Sequence, residues 1–360
     1  MAQVTGTQPA IIYVFVRQEQ LELVLISTTG SPIRFSVPDA PAEQVLARVR
    51  ELQAEIVDPT RRQTTSYRPA AQQLDAWIMQ PLRADLRRLG VDTLMFSLDE
   101  GLRSLPLAAL HDGEQFLIER YRFSIIPSLS LLNLNYVDVR DANILAMGIS
   151  EFQHLSPLPA VPVELAAIKE QFTRGEVILN EGFTLANLKQ QRQAVRAKVL
   201  HLATHAEFVP GDDGFIEFWE RSVSLQQLAT LDWHDPELAL LVLSACRTAL
   251  GDVEAEYGFA GLATSSGVDT AIASLWYASD VGTLGLMSEF YIHLRHLPLK
   301  SEALRQAQLS LLRGELQLAA GQIEAESGVL PLPPELTTLG DRHFQHPYYW
   351  SGFVTIGNPW

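Results

Sequence analysis

Glu237-Leu-Ala-Leu-Leu-Val-Leu-Ser-Ala-Cys246 is the most apolar strand-like run of the chain, and it ends on the chain's only cysteine. A short continuous apolar run reads as a strand buried on both faces, as in parallel sheets. Upstream, Ala197-Lys-Val-Leu-His-Leu-Ala-Thr-His205 has the same character and ends on a histidine. Ligand and catalytic sites of open α/β sheets form outside the carboxyl ends of the strands. A thiol and an imidazole at two such ends therefore point to a nucleophile and its base.

Working outward, the pattern alternates. Asn143-Ile-Leu-Ala-Met-Gly148, Glu176-Val-Ile-Leu179, Thr270-Ala-Ile-Ala-Ser-Leu-Trp276 and Gly352-Phe-Val-Thr-Ile-Gly357 read as strands. Helical spacing over 161–172, from a Thr184 cap through 194, over 280–296 and over 301–319 fills the intervals. Repeated strand–helix–strand units predict a mostly parallel sheet flanked by helices on both faces. Nearer the N-terminus, 10–16 and 21–26 read as a hairpin and 41–56 as a helix. Polar Thr60–Pro69 reads as a linker, 70–89 as helix and Thr93–Leu98 as a strand. The Pro-rich stretch from Ser327 to Glu335 reads as a surface loop. The resulting expectation is an N-terminal hairpin and helix over 1–68, a supporting half over 69–140 and a site-bearing half over 141–360.

The chain has 360 residues, 47% hydrophobic and 19% charged, with a net charge of −15. That is enough for one large domain or two smaller ones. So acidic a surface argues against sequence-independent nucleic-acid binding. One cysteine excludes an intramolecular disulfide framework and a cysteine-rich zinc site. The longest apolar runs fall short of the roughly 20 residues of a membrane span, and the first residues do not read as a signal peptide. A cytoplasmic protein without membrane contact is the expectation.

Acyl transfer by cysteine needs a thiolate, a base within hydrogen-bond reach, and N–H groups facing the developing oxyanion. His205 and Cys246 meet the first two needs if their strands are neighbours. The N–H groups of Ala206 and Cys246 are candidates for the third, and Arg247 can favour the thiolate. A buried free cysteine is also a small hydrophobe, so each residue alone has a structural reading. His201 lies on the same strand as His205 and, being mid-strand, reads as structural.

Several motifs occur in order: Asp99-Glu-Gly-Leu-Arg-Ser-Leu-Pro-Leu-Ala-Ala-Leu110, His201-Leu-Ala-Thr-His205, Leu243-Ser-Ala-Cys-Arg-Thr-Ala-Leu-Gly251, Gly258-Phe-Ala-Gly-Leu-Ala263, Ala273-Ser-Leu-Trp276 and His346-Pro-Tyr-Tyr-Trp350. This series closely resembles the CHAT-domain family, of the caspase and separase-like group of cysteine peptidases, over at least 70–360. The resemblance implies a caspase-like fold and a His–Cys dyad, with His205 as general base and acid and Cys246 as nucleophile. The peptidase expected on this basis uses no cofactor, acts on a protein or peptide substrate, and is controlled by a regulatory protein partner or by movement of the loop near 320–345. Many relatives carry helical repeats that deliver partners, and none is found here. Two departures stand out. Ala206 follows the histidine where glycine is common, and glycine tolerates backbone angles that alanine does not. Glu256-Tyr257-Gly258 stands where Gly-Glu-Gly is common.

Separase-like relatives hold a basic residue before the scissile bond with a pocket carboxylate. Asp280, after Trp276, falls in that region and suits charge-assisted pairing with arginine or lysine. It equally suits the cap of the helix that follows. Gly211-Asp-Asp-Gly214 reads as a turn. His343 and His346 lack a matching pair of ligands, so no metal site is expected. Tyr348-Tyr-Trp350 reads as core. Two functions follow: a cysteine endopeptidase cutting a specific protein after a basic residue, or a catalytically idle caspase-like scaffold that binds partners.

Overall fold

The computed structural model describes residues 2–208, 214–224, 227–228, 230–231, 233–244, 247–248, 264, 266–276, 279–340 and 342–360. The strands, in chain order, are β1 Pro9–Val16, β2 Leu21–Ser27, β3 Ile33–Val37, β4 Thr93–Leu98, β5 Arg122–Ile125, β6 Ile144–Gly148 and β7 Gly175–Leu179. They continue with β8 Val199–Ala203, β9 Ala206–Phe208, β10 Phe215–Glu217, β11 Ser222–Ser224, β12 Leu240–Ser244, β13 Arg247–Thr248 and β14 Thr270–Ser274. The last are β15 Leu316–Ala319, β16 Gln322–Ala325, β17 Gly328–Pro331, β18 Arg342–His343 and β19 Phe353–Gly357.

Eleven strands form one sheet in the order β3-β2-β1-β4-β5-β19-β14-β12-β8-β6-β7. Most neighbours are parallel; β3, β2 and β1 form the antiparallel hairpin region. In the middle, β19 runs parallel to β5 and antiparallel to β14. The two halves of the sheet therefore run in opposite directions, and the closing strand is the seam between them.

Side chains of β6, β8 and β12 alternate strictly between two cores, as the two-residue period of a strand demands. Ile144, Ala146, Val199, Ala203, Leu240 and Val242 enter one, against the helices Val161–Gln171 and Asp280–His296. Leu145, Met147, Leu200, Leu202, Leu241 and Leu243 enter the other. That second core is closed by Leu188 of the helix Leu185–Val195 and by Ile216, Phe218 and Val223. Helices thus cover both faces here, as the apolar runs predicted.

Four segments differ from expectation. The helix expected over 301–319 is Lys300–Arg313, ended by Gly314 at φ +74°, a left-handed conformation open to glycine. Leu316 to Ala319 then form β15, and the expected Pro-rich loop contains β17. With β16 and β18 these make a four-stranded sheet, β17-β16-β15-β18. The helix expected over 70–89 is broken at Pro81 into Arg68–Ile78, a short 3-10 turn and Arg83–Arg88. The polar stretch 60–69 is packed rather than loose: the Arg62 guanidinium stands 3.7 Å from the Tyr348 ring centroid.

Candidate active site

The strands beside the site end on one level. Gly148 of β6 pairs with Ala203 of β8, and Ala203 pairs with Ser244 of β12. His205 follows Ala203 by two positions in the sequence, and Cys246 follows Ser244 by two. Beyond that row, Glu207 of β9 pairs in parallel with Arg247 of β13. Cys246 itself lies outside the described residues, as do the side chain of Arg247, the motif 258–263, the departure at 256–258, and Gly211 to Asp213. The Thr204 N–H donates to the Ser244 carbonyl, and its Oγ1 to the Glu217 carbonyl at 2.9 Å, so the turn carrying His205 is fastened on both sides.

The His205 ring is partly exposed and rests against Phe152, with centroids 4.6 Å apart. Its Nε2 lies 2.8 Å from the carbonyl oxygen of Ser156. A carbonyl only accepts, so Nε2 carries the proton and Nδ1 is left as the basic nitrogen. The carbonyl thereby orients the imidazole and fixes its tautomer, the work an aspartate does in a serine triad. Sequence reasoning missed Ser156 because the contact is made by backbone, which has no residue signature.

Ala206 begins β9, opposite Ile216 of β10, and is buried. Its φ is not positive, so alanine adopts this backbone as readily as glycine would.

Asp280 is the first residue of its helix, but the cap belongs to Ser279, whose Oγ accepts from the Gly282 N–H. Asp280 instead reaches across the fold: its Oδ2 accepts from the Ala160 N–H at 3.1 Å, where the helix Val161–Gln171 begins. Burial pushes its carboxyl up to about 6, against the Ala160 hydrogen bond and with a smaller push from the charge of Glu164. A half-buried carboxylate with one hydrogen bond among the described residues has capacity for a cationic partner.

Beneath the strand ends runs a buried polar chain. Ser244 Oγ donates to Glu164 Oε1 at 2.6 Å, His201 Nε2 stands 3.2 Å from the same oxygen, and His201 Nδ1 lies 3.0 Å from the Tyr291 hydroxyl. Burial, and secondarily Glu164, holds the Tyr291 hydroxyl well above the usual phenol range. His201 is fully buried in mid-strand. This chain ties β8 and β12 to the helices Val161–Gln171 and Asp280–His296, so the elements carrying Asp280 and His205 share one support.

His346 lies elsewhere. Its Nδ1 accepts the Tyr348 N–H, and burial and the Arg62 charge push it down to about 4. Tyr348 to Trp350 are core.

Residues 68–358 match the sequence profile of a family described as the CHAT domain. No curated protein matches the chain. Among solved structures it is similar to a chain of the separase–securin complex of Saccharomyces cerevisiae, with a TM-score of 0.56 and 10% identity over 98% of this chain and 30% of that one. It thus spans about a third of that chain's length. RgpB of Porphyromonas gingivalis, solved as a complex of pro- and mature domains, is similar at a TM-score of 0.47 and 9% identity, over 88% of this chain and 76% of that one. The separase likeness, at this identity, is one of fold.

Proposed function

Because the chain belongs to the CHAT-domain family and has its caspase-like α/β fold, we propose that it is a cysteine endopeptidase whose dyad is His205 and Cys246. The observation that carries this reading is the state of His205. With Nε2–H committed to the Ser156 carbonyl, Nδ1 is left to take the proton of a thiol, and the aligned ends of β8 and β12 support Cys246 as that thiol.

In this mechanism Nδ1 removes the Cys246 proton, and the thiolate attacks the scissile carbonyl. The N–H groups of Cys246 and Ala206 stabilise the oxyanion. The imidazolium then returns the proton to the leaving amine, and water hydrolyses the thioester with the same nitrogen as base. Asp280 receives a lysine or arginine before the scissile bond, exchanging a costly lone carboxylate for a charge-assisted pair. The substrate is a protein. Control by a regulatory protein partner belongs to the same proposal, in line with the separase chain, which is held in a complex with securin.

The test is a panel of fluorogenic peptides ending in arginine, lysine, aspartate or leucine. The wild-type chain releases the fluorophore from the basic peptides, and Cys246→Ala releases none. Release that persists in Cys246→Ala contradicts the proposal. A wild-type chain that binds partner proteins, yet stays silent on every peptide with and without cell extract, favours the idle scaffold.

A further inference from the structure

A cleft of about 530 Å³ opens between the loop after β6 and the hairpin β10–β11. Glu151, Phe152 and Leu155 line one wall; Glu217, Trp219 and Glu220 line the other, with Arg221. Both walls are fastened to His205. The Phe152 ring packs on the imidazole, and the Glu217 N–H donates to the His205 carbonyl at 2.9 Å. The cleft is therefore the immediate neighbour of the candidate base.

Its lining departs from an ordinary surface. Leu155 is 44% exposed and Trp219 is 39% exposed, and paired large apolar side chains facing one cleft are a mark of recognition. Trp219 is mounted firmly: its N–H donates to the Phe183 carbonyl at 3.0 Å, and neighbouring Phe218 packs on Phe183. The carboxylates are held too. Glu217 Oε1 accepts from Ser222, and Glu220 Oε1 accepts from the Leu185 N–H. Three carboxylates against one guanidinium give the cleft a negative field.

The cleft and Asp280 belong to opposite faces of the sheet. The helix that begins with Asp280 packs in the first core, whereas Ile216 and Phe218 of the hairpin pack in the second. His205 stands at the strand ends between them. A polypeptide crossing the strand ends from Asp280 must pass His205 before it reaches the cleft.

We propose that this cleft binds the substrate residues on the leaving-group side of the scissile bond, and that it selects an aromatic or aliphatic residue accompanied by lysine or arginine. The inference rests on the peptidase reading, with Asp280 taking the residue before the bond. The apolar residue lies on Trp219 and Leu155, and the cation faces Glu151 and Glu217.

Two measurements on the full chain test it. The first compares kcat/KM for internally quenched peptides identical up to the scissile arginine, followed by Phe-Lys or by Gly-Asp. The wild-type chain prefers Phe-Lys by about thirtyfold, the scale of one apolar contact plus one charge pair, and Trp219→Ala lowers the ratio to about threefold, the share of the charge pair. The second needs no turnover: a fluorescein-labelled peptide containing Arg-Phe-Lys is bound by the Cys246→Ala chain and followed by anisotropy. Adding Trp219→Ala or Glu151→Gln weakens that binding by about tenfold or threefold. Cleavage with no leaving-side preference, or with a preference that Trp219→Ala leaves intact, overturns the cleft and spares the peptidase reading. Trp219-dependent binding without any cleavage supports the cleft as a peptide site and removes the peptidase reading. Absence of both overturns the cleft.

Discussion

At Asp280 the site works against the stability of the fold. A carboxyl held at about 6 instead of near 3.9 binds its proton more tightly in the folded state than in the unfolded one. The contribution of this group to stability is then fullest at acid pH and falls as pH rises through that window, by roughly 2–3 kcal/mol for such a shift. Asp280→Asn keeps an acceptor for the Ala160 N–H and removes the charge. Its melting temperature should exceed that of the wild type at pH 8 by several degrees, with the gap closing by pH 4. In the same pH series the wild-type preference for basic peptides should fade below about pH 6, and Asp280→Asn should lack it throughout. Equal melting temperatures at pH 8 would contradict the half-buried carboxylate held by the Ala160 N–H. His205 was legible in the sequence as the polar end of an apolar run. Its partner was not, because any residue at position 156 would offer the same carbonyl.

Among the elements, the loop 149–160 carries the most information for the site. It supplies Phe152 and the Ser156 carbonyl to His205, and the Ala160 N–H to Asp280. Gly148 sets where it begins. A β-carbon there would stand 2.5 Å from Val161 Cγ1 and 3.2 Å from the Ala203 carbonyl, so Gly148→Ala must displace the Val161 side chain and strain the start of the helix Val161–Gln171. Such overpacking costs about 1–3 kcal/mol. The expected result is a folded protein with kcat/KM lowered at least tenfold; unchanged activity would detach the loop from catalysis. The apolar strands β4, β6, β8 and β12 were legible because burial on both faces leaves continuous hydrophobic runs. Strands β15, β16 and β17 were not. Each has four residues, and Leu316 and Leu318 prolong the apolar spacing of the helix that Gly314 ends.

On the scale of the whole molecule, β19 joins the two halves. Val354 is buried and pairs with Ala273 of β14, while Ile356 pairs with Ile125 of β5. Asn358 continues the link, its Nδ2 donating to the carbonyls of Asn133 and Asn135. Val354→Asp places an unpaired charge in that seam and should cost more than about 4 kcal/mol. Denaturant unfolding should then shift as one transition for both halves; loss of only one half would show that β19 is not the joint. The sequence predicted this closing strand but not its position in the middle, since strand order rests on long-range pairing that local patterns do not encode.

The dyad is tested most directly by alkylation, because the chain has a single cysteine and any thiol adduct must be on Cys246. A peptidyl ketone ending in arginine should add to the wild-type chain, by intact mass, at least a hundredfold faster than to His205→Ala at pH 7. Alkylation at the same rate in both proteins would contradict His205 as the base of Cys246, and with it the proposed function.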